Sequence, residues 1–201
     1  MMARRLAAAA CWAALLTTLP ACEKLFAPPK SPFSGIDVTG TEMGGELRLA
    51  DVAGQPKTLA DYRGKVVVVS FGFTHCPDVC PTTLADLAKA VRLLGPDASR
   101  VQVLFVTVDP RRDTPEVLRQ YVPSFHPDFV ALRGDEAATA AAAKAFHVYA
   151  KERPGSSPDT YTVDHSSQSF VLDREGRMRL ILPHGIKPEA VASDLRVLMN
   201  S

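Results

Sequence analysis

The sequence predicts an α/β domain in which a mixed central sheet is flanked by helices. Three observations predict it. Two nearly continuous apolar runs, 65–73 and 101–108, have the composition of strands buried on both faces, which belong in the middle of a sheet. Helical spacing follows each run, giving the strand–helix–strand alternation of a right-handed parallel core. Two short runs, 169–173 and 178–182, flank the turn Arg174-Glu-Gly176 and read as an antiparallel hairpin.

In chain order, residues 46–50 alternate and are expected as a strand, with 51–55 as a turn. Residues 65–73 form the first buried strand. Pro81, Thr82 and Thr83 open a helix whose apolar spacing runs through Leu84, Leu87, Ala88, Val91 and Leu94 and stops near Gly95. After the second buried strand, Thr114-Pro115-Glu116 opens a helix to Val122, and residues 129–132 form a short strand. Residues 136–147 are the next helix, with strong helix formers from Ala137 to Ala145. Beyond the hairpin, Lys187-Pro188 begins a closing helix to Met199. This order is that of a thioredoxin-like fold.

The 201 residues are 46% hydrophobic and 22% charged, which fits one globular domain and excludes a disordered or fibrous chain. A net charge of +1 gives no electrostatic basis for binding nucleic acid. The amino terminus reads as an address. Arg4 and Arg5 precede a largely apolar, uncharged run from Leu6 to Leu19, the pattern of a signal peptide over residues 1–21 and too short for a comfortable membrane span. Leu19-Pro-Ala-Cys22 resembles the lipobox of bacterial lipoproteins, in which the cysteine carries lipid. Pro20 is a less usual occupant, which leaves a plain signal peptide or an uncleaved anchor as alternatives. Residues 22–44, rich in proline and glycine, are expected as a lipidated tether, and 45–201 as the folded domain. The resulting location is the outer face of a bacterial cell membrane, lipid-anchored and facing the periplasm or exterior.

With Cys11 inside the signal and Cys22 at its end, Cys76 and Cys80 are the cysteines of the domain. They lie where a buried strand meets a helix, a position whose dipole and unpaired N–H groups favour thiolate. Three residues between the sulfurs leave room for a shared ion; a redox pair or a structural disulfide are the alternatives. Two sulfurs are an incomplete site for copper or zinc. His165, in the loop before the strand 169–173, falls at the same end of such a sheet as the cysteine loop and is a candidate third ligand.

Three segments, in order, resemble the Sco/SenC family of copper chaperones: Gly72-Phe-Thr-His-Cys-Pro-Asp-Val-Cys-Pro81, Val106-Thr-Val-Asp-Pro-Arg-Arg-Asp-Thr-Pro115 and Val163-Asp-His-Ser166. The resemblance implies a thioredoxin fold that binds Cu(I) or Cu(II) through Cys76, Cys80 and His165. It also implies help in building the dinuclear copper centre of cytochrome c oxidase subunit II, with a second periplasmic copper chaperone as a further partner. Departures are Val79 where isoleucine is frequent, Arg111 where an acidic residue is common, and Arg174 where a proline often follows the aspartate. The runner-up function is a thiol–disulfide oxidoreductase in which Cys76 attacks and Cys80 resolves. A peroxidase is disfavoured, for want of a Thr-x-x-Cys context with a supporting arginine. Asp78 and Asp164 are candidates to modulate the site, and Asp109, Arg111, Arg112 and Asp113 to form an internal salt-bridge and turn network.

Overall fold

The computed structural model describes residues 31–156 and 160–201. The signal peptide and Cys22 lie outside the described residues. Residues Pro32–Ser201 form one compact unit. Its elements are β1 Ile36–Asp37, β2 Leu49–Asp51, β3 Pro56–Lys57, β4 Val66–Gly72, α1 Val79–Leu93, β5 Val101–Thr107, α2 Pro115–Tyr121, β6 Val130–Arg133, α3 Glu136–Ala145, β7 Ala150–Arg153, β8 Thr162–His165, β9 Ser169–Leu172, β10 Met178–Leu182 and α4 Pro188–Met199.

Eight strands form one sheet in the order β1-β10-β9-β4-β5-β6-β2-β3. The centre is parallel, β4 with β5 and β5 with β6; the flanks are antiparallel. Every residue of β4 and β5 is buried, as expected for central strands covered on both faces. Alternation divides them between two cores. Val66, Val68, Val103 and Phe105 pack with Leu84, Leu87 and Val91 of α1 and Val191, Leu195 and Leu198 of α4. Val67, Val69, Phe71, Leu104 and Val106 face Ala142 and Phe146 on the α3 side, where Phe71, Phe146 and Phe170 make tilted and edge-on ring contacts.

Three differences from the sequence expectation matter. Residues 32–44 are not all tether. Ile36 and Asp37 pair with β10, and the buried carboxylate of Asp194 in α4 accepts from the backbone N–H groups of Ser34 and Gly35, both at 2.8 Å. The boundary placed at residue 45 therefore moves to Pro32. Helix α1 starts at Val79, before Pro81, because proline in a first turn surrenders an N–H that would have no helical partner. Finally, β7 and β8 form a separate two-stranded sheet, so His165 ends a strand instead of lying in a loop.

Candidate metal centre

The buried strand β4 delivers the chain to Gly72, and the loop that follows turns back on itself: the Cys76 N–H donates to the Phe73 carbonyl at 3.2 Å. Cys80 lies in the first turn of α1. Its backbone N–H, one of those without a helical acceptor, points at the Cys76 sulfur at 3.5 Å. Both thiols are free, Cys76 half-buried and Cys80 buried. The Cys80 sulfur occupies the space a side chain at residue 72 would fill, since a Cβ on Gly72 would come within 2.7 Å of Cys80 Sγ and 2.8 Å of the Phe105 ring. Close approach of the sulfur to the strand thus requires glycine here.

His165 arrives from the other side. Its Nε2 lies 3.2 Å from Cys80 Sγ and its Nδ1 2.8 Å from the Ser166 carbonyl. A carbonyl only accepts, so Nδ1 carries the ring proton and the Nε2 lone pair faces the sulfur. The edge of the ring meets Phe73, centroids 5.7 Å apart. The ligand atoms of Cys76, Cys80 and His165 all lie within 4.8 Å of one another. Two soft sulfurs and one imidazole, converging at that distance, are a donor set suited to a thiophilic transition metal.

Burial dominates at Cys80. Its thiol is pushed well above the ordinary range by burial first, against a backbone hydrogen bond at Phe73 and with the nearby Cys76 adding to the rise. The expectation of a ready thiolate is corrected for this residue: a metal has to displace the Cys80 proton as it binds. Asp164 does not orient His165. On β8 successive side chains point to opposite faces, and Asp164 pairs with Arg153 across the hairpin. Asp78 is an exposed residue at the start of α1 whose carbonyl, and not its side chain, accepts from Thr82.

The second motif is the internal network expected of it. Asp113, fully buried, accepts from Thr74 N–H (3.1 Å), Thr74 Oγ1 (2.6 Å) and Thr107 Oγ1 (2.6 Å), bracing the cysteine loop. Burial raises its carboxyl above the ordinary value in spite of these bonds. Asp109 accepts from Arg112 and from the Tyr161 hydroxyl. Gly72, Thr74 and Tyr161 had no role assigned from the sequence. The period-two spacing of Tyr161, Val163 and His165 was the available signal, because it places all three on one face of a strand.

The family model described as SCO1/SenC matches residues 37–200. The chain belongs to the SCO1/SenC family. Among SCO1/SenC relatives, it is 37% identical over 153 residues to an SCO2-like protein of Rickettsia prowazekii, covering 74% of this chain and 75% of that one. It is 42% identical over 134 residues to the mitochondrial SCO2 homolog of Mus musculus, covering 66% of this chain. That match spans about half the length of the mouse protein, 52%. The solved structure of Bradyrhizobium japonicum ScoI with copper bound superposes with a TM-score of 0.72 at 39% identity, covering 78% of this chain and 99% of that one. The thioredoxin-like architecture and the SCO1/SenC family are thereby both established for this protein.

Proposed function

We propose that the protein is a copper metallochaperone that assists assembly of the dinuclear copper centre of cytochrome c oxidase subunit II. The observation that carries this reading is the convergence of Cys76, Cys80 and His165 within 4.8 Å in an SCO1/SenC chain. Copper is the cargo. The two sulfurs suit Cu(I), and the imidazole extends the set to Cu(II). Three protein donors leave a position through which a recipient can take the ion. Of the two sulfurs, Cys76 is the half-buried, more accessible one and Cys80 the buried one, and the backbone-locked His165, itself half-buried, completes the set.

A second reading rests on that same asymmetry. In a thiol–disulfide exchange, the Cys76 thiolate attacks one sulfur of a partner disulfide and the partner's other sulfur leaves as thiolate. Cys80 then attacks Cys76, closing an internal disulfide and returning the second partner thiol, so two electrons pass to the partner. The partner in this reading is the pair of cysteines of the same oxidase subunit.

The address features support an exported protein held by lipid on Cys22 at the outer face of the membrane; on the copper reading, another periplasmic chaperone is a further partner. Among the described residues, no helix is long and apolar enough to cross a membrane. Loss of labelled palmitate on Cys22→Ser supports the anchor, and unchanged incorporation refutes it. The test of function is anaerobic titration of the reduced protein against a Cu(I) chelator. Binding of one copper that Cys76→Ser abolishes supports the chaperone. Negligible binding beside a readily cycled disulfide selects the oxidoreductase.

A further inference from the structure

We infer that Tyr161 is a positioning residue for His165, and that residues 107–113 tie the two halves of the metal centre at a fixed separation. This rests on the copper reading above. The cysteines belong to the main sheet's loop, but His165 belongs to the separate β7–β8 sheet, and every residue of β7 is exposed. Side chains of β8 hold the hairpin over the cysteines, Val163 packing with Phe73 and Cys80.

Tyr161 adds the polar attachment. Its hydroxyl donates to Asp109 Oδ1 at 2.7 Å and its carbonyl accepts from Arg112 Nη1 at 2.8 Å. The guanidinium carbons of Arg112 and Arg111 lie 3.6 and 4.7 Å from the centre of its ring, within cation–π range. Arg112 Nε in turn donates to Asp109 Oδ2, and Arg111 pairs with Glu152 on β7. Arg111 is thus a second hold on the hairpin.

The other end of the network reaches the cysteine loop. Asp109 N–H donates to Thr107 Oγ1 at 3.0 Å, the Thr107 hydroxyl donates to Asp113 Oδ2 at 2.6 Å, and Asp113 Oδ1 accepts from Thr74 Oγ1 at 2.6 Å. Thr74 is two residues before Cys76. An unbroken run of hydrogen bonds thus joins the histidine hairpin to the cysteine loop. Asp109 and Asp113 are 2% and 0% exposed, so a lost partner leaves a buried carboxylate short of donors. Because two thiolates alone form a soft pair for Cu(I) while Cu(II) draws on the imidazole, a loosened hairpin weakens Cu(II) more than Cu(I).

The test uses the purified full chain and two variants. Tyr161→Phe keeps the ring in reach of both arginines and removes the bond to Asp109; Asp109→Asn keeps the shape and removes the charge facing Arg112. Both are expected to lower Cu(II) affinity about 10–100-fold, the usual effect of losing a group that orients a ligand, and to shift the sulfur-to-Cu(II) absorption band. Cu(I) affinity is expected to change less than about threefold. In the metal-free variants, amides of residues 162–165 should exchange about tenfold faster while those of 66–72 keep their rate. Equal losses for both oxidation states, or unchanged Cu(II) affinity, overturn the positioning role. If the parent takes no copper, the copper reading falls on its own. Amide exchange then decides, faster exchange at 162–165 supporting the role and unchanged exchange overturning it.

Discussion

Nε2 of His165 lies 3.2 Å from Sγ of Cys80, across a sequence separation of 85 residues. Removing the imidazole takes away the one nitrogen donor and leaves both sulfurs in place. His165→Ala is expected to weaken Cu(II) binding by at least about 100-fold, while the Cys76–Cys80 disulfide still forms. Chelator competition and thiol counting measure the two effects. Parental Cu(II) affinity in the variant would sink the three-ligand site.

Gly72→Ala tests how tightly the sulfur is packed on its strand. The added methyl meets Cys80 Sγ at 2.7 Å and the Phe105 ring at 2.8 Å, both in the buried interior. An overpacked core costs about 1–3 kcal/mol, so the urea midpoint should fall, and copper affinity with it as Cys80 is displaced. A parental midpoint and affinity would show that the close approach is not needed.

Among the described residues, His147 is the non-glycine residue at positive φ, 54°, just past the end of α3. Its N–H bonds to Lys144 O and the next N–H, of Val148, to Ala143 O, the pattern that closes a helix with a left-handed residue usually filled by glycine. The side chain is exposed. His147→Gly is expected to raise stability by up to about 1 kcal/mol by relieving the backbone, read as a higher melting temperature. A lower one would refute it.

The hairpin turn between β9 and β10 carries an acid-sensitive element. Burial alone would raise the Asp173 carboxyl, but the Arg177 N–H and guanidinium, with Arg179, outweigh it and hold the group below its ordinary value. The folded protein therefore binds this proton less tightly than the unfolded chain. The stability it contributes is complete above the unfolded carboxyl value, about pH 4, and is lost as pH falls through the lower folded one. Asp173→Asn should cost about 2 kcal/mol at neutral pH, with the gap to the parent closing on acidification towards pH 3. A pH-independent gap would argue against the ionic contribution.

The central strands were legible because continuous apolar runs have one physical reading in a domain of this size, and α2 because Thr114 and Pro115 mark its start. Helix α3 was legible from its alanines and ends at Ala145, two residues short of the expected His147. The hairpin β7–β8 was not legible. Ala150-Lys-Glu-Arg153 is exposed along its whole length and has no apolar alternation, so its strand character comes from pairing with β8. Residues 32–37 read as tether because their attachment depends on Asp194, some 160 positions later, whose acidic side chain is buried within a helix. At the site, the cysteine spacing was visible directly, and His165 gained weight from the motif around it. The hydrogen bonds from Thr74 to Tyr161 join segments far apart in the chain, and no local pattern announces them.

The separation of Cys80 from His165 also bears on how the protein is made. Cys76 and Cys80 are neighbours in any state of the chain, but the histidine joins them only after the sheet has closed and the hairpin has docked, contacts of long range that form late. A ligand that needs all three residues binds the finished fold and adds its affinity to that state alone. On the copper reading, Cu(II), which draws on the imidazole, is therefore expected to discriminate: a chain that has formed its cysteine loop without completing the rest should hold that ion weakly and lose it to competitors.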